Sequence, residues 1–99
     1  MVTANPATNA VTTTNIPRFR RGFRFQWEPA QNGHVLLYPE GMVKLNESAG
    51  AILAEIDGQR CVRDIVAVLE AAFPQADALE SDVIEFLEHA RQQHWIELS

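Results

Sequence analysis

The sequence predicts an α+β domain in which a three-stranded antiparallel sheet is followed by a three-helix bundle. Two observations carry the prediction. From Phe23 to Glu28 apolar and polar residues alternate, and two more β-favouring runs, His34 to Tyr38 and Met42 to Leu45, follow behind turn-forming residues, which is the pattern of strands joined by tight turns. After Leu45 the period becomes helical, in three blocks divided at Asp57-Gly58 and at Pro74.

Phe23, Phe25 and Trp27 alternate with Arg24, Gln26 and Glu28, so the first strand has one apolar and one wet face. Pro29 to Gly33 holds an Asn-Gly hairpin signal, His34 to Tyr38 supplies a second β-favouring run, Pro39 to Gly41 turns the chain again, and Met42 to Leu45 forms a short third strand. Asn46 is a good N-cap for a first helix of about three turns, with Ala49, Ile52, Leu53 and Ile56 on one stripe and Gly58 at its end. A second helix begins behind Cys61, with Asp64 at capping-box spacing, and buries Ile65, Val66, Leu69 and Phe73 before Pro74 stops it. The third opens with Asp77 and Glu80 at capping-box spacing and carries Leu79, Val83, Phe86, Leu87 and Ala90. Trp95, Ile96 and Leu98 form a short extended end. This order describes a winged-helix-like domain over residues 17–98. Residues 1–16, without charge or periodicity, read as a disordered tail.

Eight basic and thirteen acidic residues give a net charge of −5, which argues against binding nucleic acid or an anionic membrane through charge alone. The single cysteine, Cys61, excludes an internal disulfide and a four-cysteine cluster site made by one chain, and fits a cytoplasmic setting. The apolar runs are far shorter than the roughly 20 residues a membrane helix needs.

Little in the sequence suggests catalysis. Glu85 and His89 share a helix face, but two ligands are half a metal site, so His34, His89 and His94 read as surface residues. Cys61 has no neighbouring base in sequence and reads as a weak cap or packed thiol. Glycine-rich phosphate loops, serine elbows and paired catalytic carboxylates are missing from the sequence, so no enzyme activity and no cofactor are expected. Arg18, Arg20, Arg21 and Arg24 place half of the basic residues within seven positions, among Phe19 and Phe23. They suit a wet strand face or a dock for an acidic partner. A DNA-binding winged-helix regulator is the alternative reading, as is a dimerisation module using an open strand edge. Against DNA, the helix expected to enter a groove carries Asp77, Glu80, Asp82, Glu85 and Glu88 and no base from residue 77 to 88.

The third strand is short and runs directly into a helix, so one of its edges can accept an extended peptide as an added strand. On a helical wheel with Leu79 at the origin, Val83, Phe86 and Ala90 fall within about 40°, Leu87 near about 80°, Arg91 near about 120° and Ile84 near about 140°. Ile84 then lies outside the core stripe and can serve as a groove wall.

The stretches RFRRGFRFQWEPAQ, VLLYPEGMVKLN, SAGAILAEIDGQR and DVIEFLEHARQQHWI, in this order and spacing, resemble the PqqD family, the D proteins of pyrroloquinoline quinone biosynthesis, from Pro17 to Leu98. The resemblance implies a peptide chaperone of the kind called a recognition element for ribosomally made, modified peptides. It would bind the precursor peptide of pyrroloquinoline quinone as an added strand between the third strand and the third helix. It would present that peptide to a radical S-adenosylmethionine enzyme, which joins a glutamate to a tyrosine. Carried over, the peptide strand lies along Met42, Val43, Lys44 and Leu45, facing the helix from which the wheel selects Ile84, Leu87 and Arg91. The arginine cluster is expected to dock the partner enzyme, and the open edge permits a homodimer by strand exchange. The sequence departs from the family at Cys61, where Thr or Ser is more frequent, at His94, where Gly is usual, and in its Thr/Asn-rich N-terminal segment.

Overall fold

The computed structural model describes residues 11–99. Its strands are β1 (Pro17–Phe19), β2 (Arg24–Glu28), β3 (Gly33–Tyr38), β4 (Gly41–Lys44) and β5 (Ile96–Leu98); its helices are α1 (Glu47–Leu53), α2 (Val62–Ala72) and α3 (Leu79–Gln92). The expected antiparallel meander is β2-β3-β4, and a second, two-stranded sheet pairs β1 with β5.

Both meander turns follow from local chemistry. A 3-10 turn over Pro29–Gln31 leads to Asn32 at φ 52, a left-handed conformation that Asn tolerates, and Glu28 opposes Gly33 across the loop. Pro39 and Glu40 close the second hairpin between Tyr38 and Gly41. In this register Phe25, Leu36 and Val43 share one face and Gln26, Val35 and Lys44 the other. Helix α1 packs on β3 and buries Ala49, Gly50, Ile52 and Leu53. Gly50 lets the helix approach closely, since a Cβ there would lie 3.2 Å from His34 Nδ1 and press on the imidazole. Asn46 caps α1 as expected, its Oδ1 accepting the Ala49 N–H at 2.8 Å. The helix ends at Leu53, short of the expected three turns.

The helical core gathers Ile52, Val62, Ile65, Val66, Leu69, Val83, Leu87 and Ala90, with Ile96 from β5 and Val11 from the N-terminal segment. Val11 is only 6% exposed. The expected tail therefore needs correction over residues 11–16, whereas its first ten residues lie outside the described ones. Ile16 and Ser99 exchange two backbone hydrogen bonds of 3.0 Å, continuing the β1–β5 ladder. The carbonyls of Asn15 and Thr13 accept the Val62 and Arg63 N–H groups, both at 2.9 Å. These are donors of the first turn of α2, which a helix cannot satisfy internally. Main-chain carbonyls thus cap α2, and Cys61 need not; Asp64 accepts the Cys61 N–H at 3.4 Å.

Three further expectations change. Phe73 is 50% exposed, because α2 stops at Ala72 and the next backbone step leaves the helix, taking Phe73 off the apolar stripe. Helix α3 starts at Leu79 behind Ala78 at φ 55, and no side-chain cap forms, so the Asp77–Glu80 capping pair is not made. The core direction of α3 is rotated toward Leu87: Val83, Leu87 and Ala90 are fully buried, while Leu79, Phe86 and Ile84 are partly buried against the core.

Helix α3 ends in a Schellman motif, with Trp95 N–H on Ala90 O and His94 N–H on Arg91 O, each 3.0 Å. His94 occupies the left-handed position at φ 64. A side chain is strained in this conformation, so His94→Gly is expected to stabilise the domain by about 0.5–1 kcal/mol. The change is read from the urea midpoint at constant slope, and a midpoint that falls would contradict it.

Candidate functional site

Strand β4 pairs with β3, and among the described strands nothing pairs with its other edge. Its outward backbone groups are therefore available for main-chain hydrogen bonds to an added strand. Met42 is 41% exposed and Lys44 is exposed on the face they share with Leu37 and Val35. Val43 and Leu45 are half-buried. The Leu45 N–H donates to His34 O at 3.1 Å and carries the β3–β4 ladder one residue past β4.

The helical half of the expected site is only partly as predicted. Ile84 is half-buried on the rim of the core. Leu87 is completely buried and belongs to the core, so its selection as a peptide-contacting residue is corrected. The physical reason is that α3 packs mainly on α2 and β5, which turns the Leu87 side of the helix inward. Arg91 is half-buried and bound to Glu88, its Nε donating to Oε1 at 3.3 Å. The Arg91 guanidinium, helped by the Gln92 amide, holds the Glu88 carboxyl below the usual carboxylate range. Arg91 is therefore a guanidinium already partnered within its own helix.

Arg18, Arg20, Arg21 and Arg24 are all exposed, distributed over β1, the turn at Gly22 and the start of β2. Arg18 Nη2 donates to Ser99 Oγ at 3.4 Å and faces Glu97 across the β1–β5 pair. None of the four makes an ion pair among the described residues. The histidines differ from one another: His89 and His94 are exposed, as expected, whereas His34 is half-buried and stacked on Phe25 at a centroid distance of 4.7 Å. Among the described residues no group of His, Cys, Asp and Glu side chains is arranged to hold a metal, and no helix is long and apolar enough to cross a membrane.

Sequence reasoning missed two clefts on either side of α1. One, of about 310 Å³, lies between α1, the end of α2 and the start of α3 and includes Ala51, Leu69, Phe73 and Leu79. The other, of about 500 Å³, is bounded by Trp27, His34, Leu45 and Glu47. The alternating pattern puts Trp27 on the apolar face of its strand. It is 52% exposed, at the hairpin end of β2, where it lines the cleft opposite Glu47 and Ala51 of α1.

Residues 33–96 match the family described as Coenzyme PQQ synthesis protein D (PqqD). The chain is 66% identical over 87 residues to the PqqA binding protein of Azotobacter vinelandii, covering 88% of this chain and 95% of that one. It is 60% identical over 84 residues to the PqqA binding protein of Pseudomonas aeruginosa strain UCBPP-PA14, covering 85% and 91%. The solution structure of the PqqD truncation of Methylobacterium extorquens PqqCD, described as a functional and stand-alone RiPP recognition element, superposes with a TM-score of 0.75 at 31% identity, covering 90% of this chain and 96% of that one. With a family match that takes in β3 through the start of β5, and relatives aligned over nearly their whole length, the chain belongs to the PqqD family.

Proposed function

We propose that this chain is a non-catalytic chaperone of pyrroloquinoline quinone biosynthesis that binds a PqqA-type precursor peptide as a fourth strand on β4. The observation that carries the reading is the outer position of β4 in the order β2-β3-β4, with its second edge unpaired among the described strands. The names of the relatives, PqqA binding proteins, and of the structural neighbour, a RiPP recognition element, support the choice of ligand. Peptide contacts are assigned to Met42, Val43, Lys44 and Leu45, with Ile84 and Arg91 on α3 as the facing wall. In this reading the fold acts as a winged-helix-like platform, without a cofactor, in the cytoplasm. The bound peptide is presented to the radical S-adenosylmethionine enzyme of the pathway. Arg18, Arg20, Arg21 and Arg24 dock an acidic surface of that enzyme, since exposed arginines that form no ion pair among the described residues are available for charge pairing between proteins. Without peptide, the same edge can exchange strands with a second copy.

Titration of ¹⁵N-labelled protein with synthetic PqqA peptide tests this. The amides of Met42 to Leu45 are expected to shift together with Ile84, and an Arg20→Glu/Arg21→Glu protein is expected to show the same shifts while losing salt-sensitive association with the enzyme. Amide shifts confined to the arginine segment would move the peptide site there, and silence at β4 would remove the strand-addition reading.

A further inference from the structure

At the hairpin end of the meander a row of side chains crosses the sheet perpendicular to its strands. Trp27 pairs with His34 across β2 and β3, and the ladder continues from His34 to Leu45, which follows β4. The imidazole of His34 is fixed from three sides. It stacks on Phe25 at 13° between planes, meets Trp27 nearly edge-on with centroids 5.2 Å apart, and has Gly50 of α1 against it. Trp27 itself remains 52% exposed. The result is the cleft of about 500 Å³, with Trp27 and His34 on the sheet side and Asn46, Glu47 and Ala51 on the helix side. Leu45 lies at its end toward β4, one residue beyond the proposed peptide strand.

The cleft's lining holds a carboxylate and neither Lys nor Arg. Glu47 is its carboxylate, and it makes no ion pair among the described residues. The neighbouring cleft across α1 shares Glu47 and Ala51 and adds Asp82. An exposed indole and a carboxylate lining one cleft with the aliphatic side chains of Leu45 and Ala51 suit a Lys or Arg side chain. The stem lies on the apolar residues, the cationic head is attracted to the indole face, and the carboxylate completes the charge pair. An anionic occupant would meet Glu47 uncompensated.

We propose that the Trp27–Glu47 cleft is a subsite for one basic side chain of the bound precursor peptide, contributed by the segment that leaves the added strand next to Leu45. The proposal rests on strand addition to β4 and deepens it. It makes recognition depend on a residue outside the main-chain ladder, whose hydrogen bonds alone are indifferent to sequence.

The test is calorimetric titration of the parent, Glu47→Gln and Trp27→Leu proteins with synthetic PqqA peptide and with peptides in which each Lys or Arg is replaced singly by Met. Amide shifts at Met42 to Lys44 are recorded in parallel. Glu47→Gln and Trp27→Leu are each expected to weaken binding about fivefold, the size of an exposed cation–π or charge contact. One Met-substituted peptide is expected to show the same loss with the parent and no further loss with Glu47→Gln, while the β4 amides still shift. Glu47→Gln keeps the shape of the side chain and so reads the subsite even if Trp27→Leu disturbs the sheet. Affinities of both variants within twofold of the parent, with β4 amides still shifting, would overturn the subsite and leave strand addition standing. Loss in both variants with no single basic residue responsible would overturn the cationic occupant. Absence of β4 shifts would remove strand addition and the subsite with it.

Discussion

Val83→Glu is expected to unfold the domain, whereas the neighbouring change Ile84→Glu is expected to leave it folded and to weaken peptide binding. Val83 is fully buried in the helical core. A carboxylate there has no partner and no water, a penalty of about 4 kcal/mol or more, which is most of the stability of a small domain. Ile84 is one position on, about 100° round the helix, and half-buried at the edge of the core. Its replacement is expected to cost about 1–2 kcal/mol of stability, more than a solvated position would, because its side chain still packs on the core. Against a peptide lying between β4 and α3, the new charge faces apolar side chains, and affinity is expected to fall at least tenfold, about 1.4 kcal/mol. Melting followed by circular dichroism, together with peptide titration, separates the two effects. An Ile84→Glu protein with parental affinity would take Ile84 out of the site, and a folded Val83→Glu protein would contradict the packing of α3.

The second large effect is expected from the N-terminal segment. A protein beginning at Pro17 is expected to be about 4 kcal/mol less stable than one beginning at Val11. Removing Val11 uncovers a core side chain, a loss of about 1.5–3 kcal/mol. Removing Thr13, Asn15 and Ile16 deletes four backbone hydrogen bonds, two to Ser99 and two to the first turn of α2, each with a net contribution of about 0.5–1.5 kcal/mol before the ordering entropy is subtracted. For a chain of this length the melting temperature should drop on the order of 20 °C. Two proteins melting within about 3 °C of each other would restore the view of residues 11–16 as an inert extension. The α2 amides of Val62 and Arg63 provide a local reading, since their hydrogen exchange should accelerate when the capping carbonyls are gone.

How much of this was legible in the sequence depends on the range of the interactions involved. The meander, the Asn46 cap and the burial of Ile65, Val66 and Leu69 follow from periods of two and 3.6 and from the backbone preferences of single residues, whereas the first helix ends at Leu53, before the expected stop at Gly58. The edge of β4 left unpaired among the described strands was legible too, because a short strand entered from a hairpin and left through a helix has one covalent neighbour in the sheet. The pairing of β1 with β5 joins Pro17 to Leu98, across nearly the whole chain, and no local pattern marks two three-residue strands as partners. Val11 looked like part of an unstructured extension for the same reason: its burial is supplied by helices that come much later in the chain.

The candidate site divides along the same line. By themselves, the residues determined that this is an acidic α+β chain with a short third strand, four clustered arginines and no evident catalytic constellation. Only the tertiary structure decided which side of α3 is core. A wheel fixes angles between side chains but has no origin, and the origin is set by the packing of α3 on α2 and β5, which buries Leu87 and leaves Ile84 on the rim. It also decided that Trp27 and Glu47, twenty positions apart, share a cleft, because the length of α1 and the register of β2 against β3 place an uncovered indole beside the first turn of that helix.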